Sequence, residues 1–187
     1  MSEQRVGKAA ALAVPLITAV ILFLFGVSLL VTTLLGLPRS LGLPIPVRAA
    51  GGAIVLAGVG VMGWLFRYRG PANVMVSTSV TFTKILRRTP IAERSERTEP
   101  LVVSGPQRYV RHPLYSGVVV MVLGWAVLSS LTFVFVATLA VLLWFRLLLI
   151  PFEERELNAL FGEAYRKYCD ETPTMVPFTK RKKPQAV

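Results

Sequence analysis

No charged side chain occurs between Ala9 and Leu37, and this run constrains the fold more than any other feature of the chain. At 1.5 Å of rise per helical residue it exceeds the roughly 30 Å hydrocarbon core of a bilayer. The apolar region of a secretory signal is only about 7–15 residues long, so the run reads as a retained span. A second span is expected from about Pro46 to Phe66, after a link rich in turn formers at Gly36, Pro38, Gly42 and Pro44. A longer apolar block, Leu114 to Phe152, is interrupted near Ser129 and Ser130, which predicts two short helices joined by a tight turn. The expected fold class is all-α: a polytopic integral membrane protein with four transmembrane helices, or five with a further short segment, and a cytoplasmic C-terminal amphipathic helix. Residues 1–66 are read as an N-terminal two-span hairpin. Residues 67–187 are read as a core made of a cytoplasmic loop, the hairpin 114–152 and a C-terminal tail, the whole forming a single integrated domain.

The balance of 53% hydrophobic to 17% charged residues is far from that of a soluble domain. The formal net charge of +11 invites a nucleic-acid reading, but its distribution argues otherwise. Nine of the 21 basic residues lie between Arg67 and Arg111, seven follow the last apolar block, and only Arg39 and Arg48 lie in the first link. Such asymmetry is what the positive-inside rule and anionic lipid produce, so the chain is expected in the cell membrane with both termini cytoplasmic. The expected partner is the bilayer, not nucleic acid; the oligomeric state is left open. Cys169 and His112 are the only residues of their kinds, which excludes an intrachain disulfide and argues against a metal centre.

Within the second span Gly58, Gly60 and Gly63 spell a dinucleotide-binding fingerprint, yet no strand precedes them and they lie inside an apolar helix, so they are read as packing positions. Ala49, Ala53, Ala57 and Gly60 form a small-residue face for close helix approach. Segment 71–90 contains a weakly amphipathic patch, either a surface helix or a further membrane element. From Glu153 to Tyr168 the apolar residues recur at helical spacing, with Glu153, Glu154 and Glu156 expected in the first turn.

Two constellations flank the predicted hairpin: Leu101 to Gly117, and Glu153 to Phe178. If the chain goes out and back between them, both meet at one membrane face. Arg108, Arg111, His112, Tyr109 and Tyr115 would bring donors and aromatic faces, and Glu153 and Glu154 acceptors. A zwitterionic cofactor with an adenine, a ribose and a sulfonium needs that mixture. Arg146 stands apart, inside the last apolar block. By i, i+4, i+7 spacing it would share a face with Ile150 and Glu153, and it is read either as a functional charge or as a side chain snorkelling to the interface.

The order Arg111-His112-Pro113-x-Tyr115-x-Gly117, then Glu153-Glu154-x-x-Leu157, then Phe161-Gly162-x-x-Tyr165-x-x-Tyr168, resembles the isoprenylcysteine carboxyl methyltransferase family. That family is related to the phospholipid N-methyltransferases, and the resemblance covers roughly the last 90 residues. It implies S-adenosylmethionine as cofactor, held outside any Rossmann fold at the cytosolic ends of the helices and capped by the tail, with a lipophilic or prenylated substrate entering from the bilayer. It implies cofactor contacts from Val103, Gly105, Arg108, Tyr109, His112, Pro113, Tyr115, Glu153, Glu154 and Leu157. The acceptor most in keeping with the resemblance is an isoprenylcysteine-like carboxylate. Such a group is already ionised at neutral pH, with a pKa of about 3.5, and Arg146 could hold it while the methyl group is transferred in line. A phospholipid amine or a small thiol is the alternative, and would need a base such as Glu153. Thr174, where many bacterial relatives carry arginine, and Gln107, where an aromatic is common, depart from the pattern. A reductase using a nicotinamide cofactor and a non-catalytic membrane scaffold are the competing readings.

Overall fold

A computed structural model describes residues 3–74, 77, 78, 81 and 101–179. Helices dominate these residues, and the one β-bridge is an isolated contact between Ser40 and Leu131. The elements are α1 (Glu3–Leu34), α2 (Ile45–Arg69), a 3₁₀ turn (Gly105–Arg108), α3 (Pro113–Ser129), α4 (Thr132–Trp144), a π-helical turn (Phe145–Leu149), α5 (Ile150–Phe161) and α6 (Glu163–Glu171). Two helical stretches, Ile45–Arg69 and the continuous Thr132–Phe161, are long and apolar enough to cross a membrane, while the apolar helices Thr18–Leu34 and Pro113–Ser129 are shorter. Residues 71–74, 77, 78 and 81 are helical, and the rest of segment 71–90 lies outside the described residues.

Helix α1 starts well before Pro15, leaving this proline in its interior, a position that apolar surroundings tolerate better than water does. Helix α2 begins with Pro46 in its first turn and ends at Gly70, whose φ of 74° suits a residue without Cβ.

The tightest contact is between α2 and α3, antiparallel, and glycine permits it. A Cβ on Gly51 would lie 2.5 Å from the Leu128 amide nitrogen, one on Gly124 2.6 Å from that of Val55, and one on Gly58 2.4 Å from Met121 Cγ. Gly51 and Gly58, and Gly117 and Gly124, are each seven residues apart, which keeps them on one helix face. The close-approach face is thus not the expected one: Ala49, Ala53, Ala57 and Gly60 are exposed. Of the fingerprint glycines only Gly58 packs; Gly60 and Gly63 face open space. Residue size alone could not distinguish two small-residue faces on one apolar helix.

The α3–α4 turn falls where the serines predict it. Ser130 adopts φ 60°, its carbonyl accepts from the Leu41 amide at 2.9 Å, and its hydroxyl oxygen accepts from the Leu43 amide at 3.0 Å. This ties the first link to the hairpin turn at the end of the molecule away from the polar constellations. At the other end the Glu153–Tyr168 stretch is not one helix. α5 continues α4 through the π turn, and Gly162 at φ 54° separates it from α6. Glu153, Glu154 and Glu156 therefore follow a preceding helix and do not cap a free N-terminus, so the helix-dipole argument for them fails.

Candidate active site

His112 is the residue before Pro113, and proline biases its predecessor away from helix. His112 accordingly has a non-helical backbone at φ −121° and ψ 65°, and α3 starts at Pro113. The hairpin then returns the chain so that α5 sets Glu153 and Glu154 against this point. His112 Nδ1 lies 3.3 Å from Glu153 Oε2, and His112 Nε2 lies 3.4 Å from Glu154 Oε1. The Tyr115 hydroxyl donates to Glu153 Oε1 at 2.7 Å, and Thr81 Oγ1 donates to the same oxygen at 3.2 Å. The Tyr115 ring stacks on His112 on one side and on Phe145 on the other, with centroids 5.6 and 4.6 Å away.

Arg111 binds the tail to this centre. Its Nε donates to Glu154 Oε1 at 3.0 Å, its Nη1 to the carbonyls of Cys169 and Thr172 at 3.0 and 2.7 Å, and its Nη2 to Thr174 Oγ1 at 2.9 Å. The backbone joins in: the Arg111 amide donates to the Pro173 carbonyl at 2.9 Å and the His112 amide to that of Thr174 at 3.0 Å. Ser116 Oγ donates to the Met175 carbonyl at 2.8 Å, and the Tyr168 hydroxyl to the Gln107 carbonyl at 2.6 Å. The departure at Thr174 is thus built into the hydrogen bonding through its hydroxyl, whereas Gln107 enters it through its backbone carbonyl.

Burial opposes a charge on His112, but hydrogen bonds to Glu153 and Glu154 and their negative charges outweigh it and raise its pKa. A raised histidine pKa adds stability that is fully present below the ordinary value of about 6.5 and disappears as pH rises through the folded-state value. The stability lost on His112→Gln should therefore be largest in mildly acidic buffer, about 1–3 kcal/mol, and shrink as the buffer becomes alkaline. Thermal unfolding of both proteins across pH checks this, and a gap that widens with pH would contradict it.

Two spaces meet at these residues. A polar cleft is bounded by Arg69, Gln107, Arg111, His112, Glu153, Leu157, Phe161, Tyr165 and Tyr168, among others. An apolar chamber lies between α1, α2, α3 and α4, lined by Val20, Leu24, Met62, Phe66, Leu114, Tyr115, Val118, Val122 and Trp144 with their neighbours. A smaller cavity lies between them, sharing Arg69, His112 and Glu153 as walls with the cleft and Leu114, Tyr115 and Thr78 with the chamber.

Of the residues expected at a site, the structure brings together His112, Pro113, Tyr115, Glu153, Glu154 and Leu157. Val103, Arg108 and Tyr109 are exposed and do not line the cleft. Leu101, Val102 and Gln107, their immediate neighbours, face it instead. Gly105 contributes backbone shape: its φ is 62°, and a Cβ there would lie 2.6 Å from the Tyr68 ring. Arg146 is the clear correction. It is exposed and borders neither cleft nor chamber. The π turn at Phe145–Leu149 inserts an extra residue per turn, rotating the register by about 100° and removing Arg146 from the face of Glu153. Arg69, Phe161, Tyr165 and Tyr168 were missed as lining residues, although the Phe-Gly-x-x-Tyr-x-x-Tyr spacing was a signal for the last three.

Fold and cleft together define a helical protein with membrane-capable helices, a charged site at one end and an apolar chamber adjoining it. Residues 88–164 match the phospholipid methyltransferase family. The chain is 33% identical over 118 residues to protein-S-isoprenylcysteine O-methyltransferase B of Arabidopsis thaliana, covering 54% of this chain and 57% of that protein. It is 31% identical over 107 residues to the protein-S-isoprenylcysteine O-methyltransferase of Schizosaccharomyces pombe, covering 57% and 43%. It is also 30% identical over 138 residues to the methanethiol S-methyltransferase of Crocosphaera subtropica, covering 70% and 49%. The chain spans about half the length of these curated relatives. No solved structure matches it.

Proposed function

We propose that the chain is an integral membrane methyltransferase that binds S-adenosylmethionine in the polar cleft and a lipophilic acceptor in the apolar chamber. The observation that carries this reading is the junction itself: Tyr115 borders the chamber while its hydroxyl holds Glu153, a wall of the cleft. A water-borne cofactor and a lipid-borne acceptor could meet there and nowhere else among the described cavities. The donor set fits the cofactor, offering an imidazole, carboxylates, aromatic faces and the buried Gln107 Oε1, which has no hydrogen-bond partner among the described residues. Bound S-adenosylmethionine would supply an electrophilic methyl group on a sulfonium sulfur.

The residues have distinct tasks in this account. His112, Glu153 and Leu157 hold the cofactor, and Tyr165 and Tyr168 offer faces that favour a sulfonium cation. Arg111 and Glu154 close the tail over the site, and Tyr115 with Phe145 excludes water from the methyl path. With Arg146 outside the site, Arg69 at the junction takes the part of pairing with an acceptor carboxylate. The membrane arrangement consistent with this is four spans in a single integrated unit, with termini and cleft on the cytoplasmic side of the cell membrane.

An isoprenylcysteine-like carboxylate is the first acceptor, by the names of the relatives. A neutral lipophilic thiol is the second reading, favoured by the apolar lining of the chamber, which disfavours an ion. In that case Glu153, through Tyr115, would take the thiol proton. Incubation with methyl-labelled cofactor and either an N-acetyl-S-prenylcysteine or a long alkanethiol separates the two by which product carries the label; label in neither contradicts the proposal. Val122→Trp, which fills the chamber, should raise KM for the acceptor about tenfold or more while leaving cofactor affinity within a factor of about two. An equal loss of both would remove the division of the site.

A further inference from the structure

Gln107 is 5% exposed, yet its side-chain oxygen Oε1 has no hydrogen-bond partner among the described residues. A buried amide oxygen left unpaired has lost its water without compensation, and native structures rarely keep one idle. Its backbone is held from two directions. The 3₁₀ turn Gly105–Arg108 carries it, with the Tyr109 amide donating to the Pro106 carbonyl at 3.1 Å, and the Tyr168 hydroxyl donates to the Gln107 carbonyl at 2.6 Å. The residue borders both the polar cleft and the smaller cavity beside it, and the walls of the cleft divide into two sets about it. Those that also border the smaller cavity, Arg69, Arg111, His112 and Glu153 among them, are polar or charged. Those that border the cleft alone, Leu101, Val102, Leu157 and Phe161 among them, are apolar or aromatic. Among the described lining residues of the cleft, Gln107 is the one that carries a side-chain amide.

We infer that Gln107 reads the edge of the cofactor's adenine, Oε1 accepting a hydrogen bond from the 6-amino group while Nε2 donates to the ring nitrogen beside it. The assignment rests on the proposed function and adds to it the group that sets which base the cleft accepts. A glutamine amide presents an acceptor and a donor side by side in one plane, and adenine presents the complementary donor and acceptor at N6 and N7. The apolar and aromatic set of walls gives a flat base a surface to lie against, with Phe161 offering a ring face. The other N–H donor of S-adenosylmethionine is its α-ammonium. That group carries a full charge, and its stronger partner in the same cleft is the Glu153 carboxylate, not a neutral amide. Once an adenine is bound, the buried Oε1 is satisfied; a base without the 6-amino group leaves it stranded, and the cost of that stranding is the source of the discrimination.

The test is calorimetric titration of the full chain in phosphatidylcholine nanodiscs. The ligands are S-adenosylhomocysteine, the unreactive product, an analogue with hydrogen in place of the 6-amino group, and a second analogue without the α-amino group. Wild type should bind the parent about tenfold tighter than the 6-hydrogen analogue. Gln107→Leu should bind the parent about tenfold more weakly than wild type and hold the parent and the 6-hydrogen analogue within a factor of about two of each other. Gln107→Met, unbranched and of similar length, should behave likewise, and the wild-type comparison stands even where a variant fails to fold. Loss of the α-amino group should weaken binding by the same factor in wild type and in the variants. Equal wild-type affinity for the parent and the 6-hydrogen analogue overturns the assignment, as does a preference for the 6-amino group that survives in the variants. A variant that loses its preference for the α-amino group instead puts the amide at the methionine end and overturns it too. Absence of wild-type binding to both S-adenosylhomocysteine and S-adenosylmethionine counts against the proposed function, and the assignment falls with it. Binding without discrimination overturns the assignment alone.

Discussion

Arg111→Ala should lower the stability of the folded chain by about 3–5 kcal/mol and eliminate measurable cofactor binding. The Arg111 side chain is 3% exposed and pairs with Glu154. It also satisfies two main-chain carbonyls, at Cys169 and Thr172, and the Thr174 hydroxyl. Removing it strands a partly buried carboxylate beside His112 and leaves those carbonyls without their shared donor, a cost set by desolvation rather than by one lost bond. Lysine keeps the charge but cannot reach acceptors on several sides, so Arg111→Lys should recover less than half of the loss. Thermal unfolding in detergent and titration with S-adenosylmethionine measure the two effects separately. A stable Arg111→Ala protein with wild-type affinity would mean that the tail closes the site by other contacts.

The second large effect belongs to the α2–α3 contact. Gly124→Ala places a methyl group 2.6 Å from a backbone nitrogen of α2, and Gly51→Ala one 2.5 Å from a backbone nitrogen of α3. Backbone cannot rotate aside as a side chain can, so each should cost about 1–3 kcal/mol through forced helix separation. The two positions face each other across one contact, so the double variant should cost less than the sum: helices already moved apart accommodate the second methyl. Gly52→Ala is the internal control, since a Cβ there meets nothing within 4 Å. It should be neutral or slightly stabilising, because alanine favours helix over glycine. If Gly52→Ala destabilised as much as Gly124→Ala, helix propensity rather than close approach would govern this interface.

These two sites also mark how far the amino-acid sequence can be read. The hairpin turn was legible because Ser129 and Ser130 interrupt an otherwise unbroken apolar block, and the meeting of His112 with Glu153 and Glu154 follows from that turn. Composition told that α2 offers small residues. It could not tell whether Ala53 or Gly58 faces a neighbour, because both faces are apolar and the choice depends on where α3 lies. Arg146 was placed by assuming a regular α-helix, and one π turn sufficed to move it outward. Arg108 and Tyr109 are chemically capable residues of a loop, and Val103 enters only through the resemblance. Loop residues have no periodicity from which facing can be computed, and the structure turns their neighbours Val102 and Gln107 inward instead.

The cleft at His112 and Glu153 is the proposed S-adenosylmethionine site. Titration calorimetry of the purified full chain in neutral nanodiscs, with S-adenosylmethionine in one series and a reduced nicotinamide dinucleotide phosphate in the other, tests it most directly. S-adenosylmethionine should bind saturably, weakened at least about tenfold by His112→Ala and by Glu153→Ala, and the nicotinamide cofactor should give no heat. Binding of the nicotinamide cofactor alone, or S-adenosylmethionine affinity untouched by both substitutions, would contradict it.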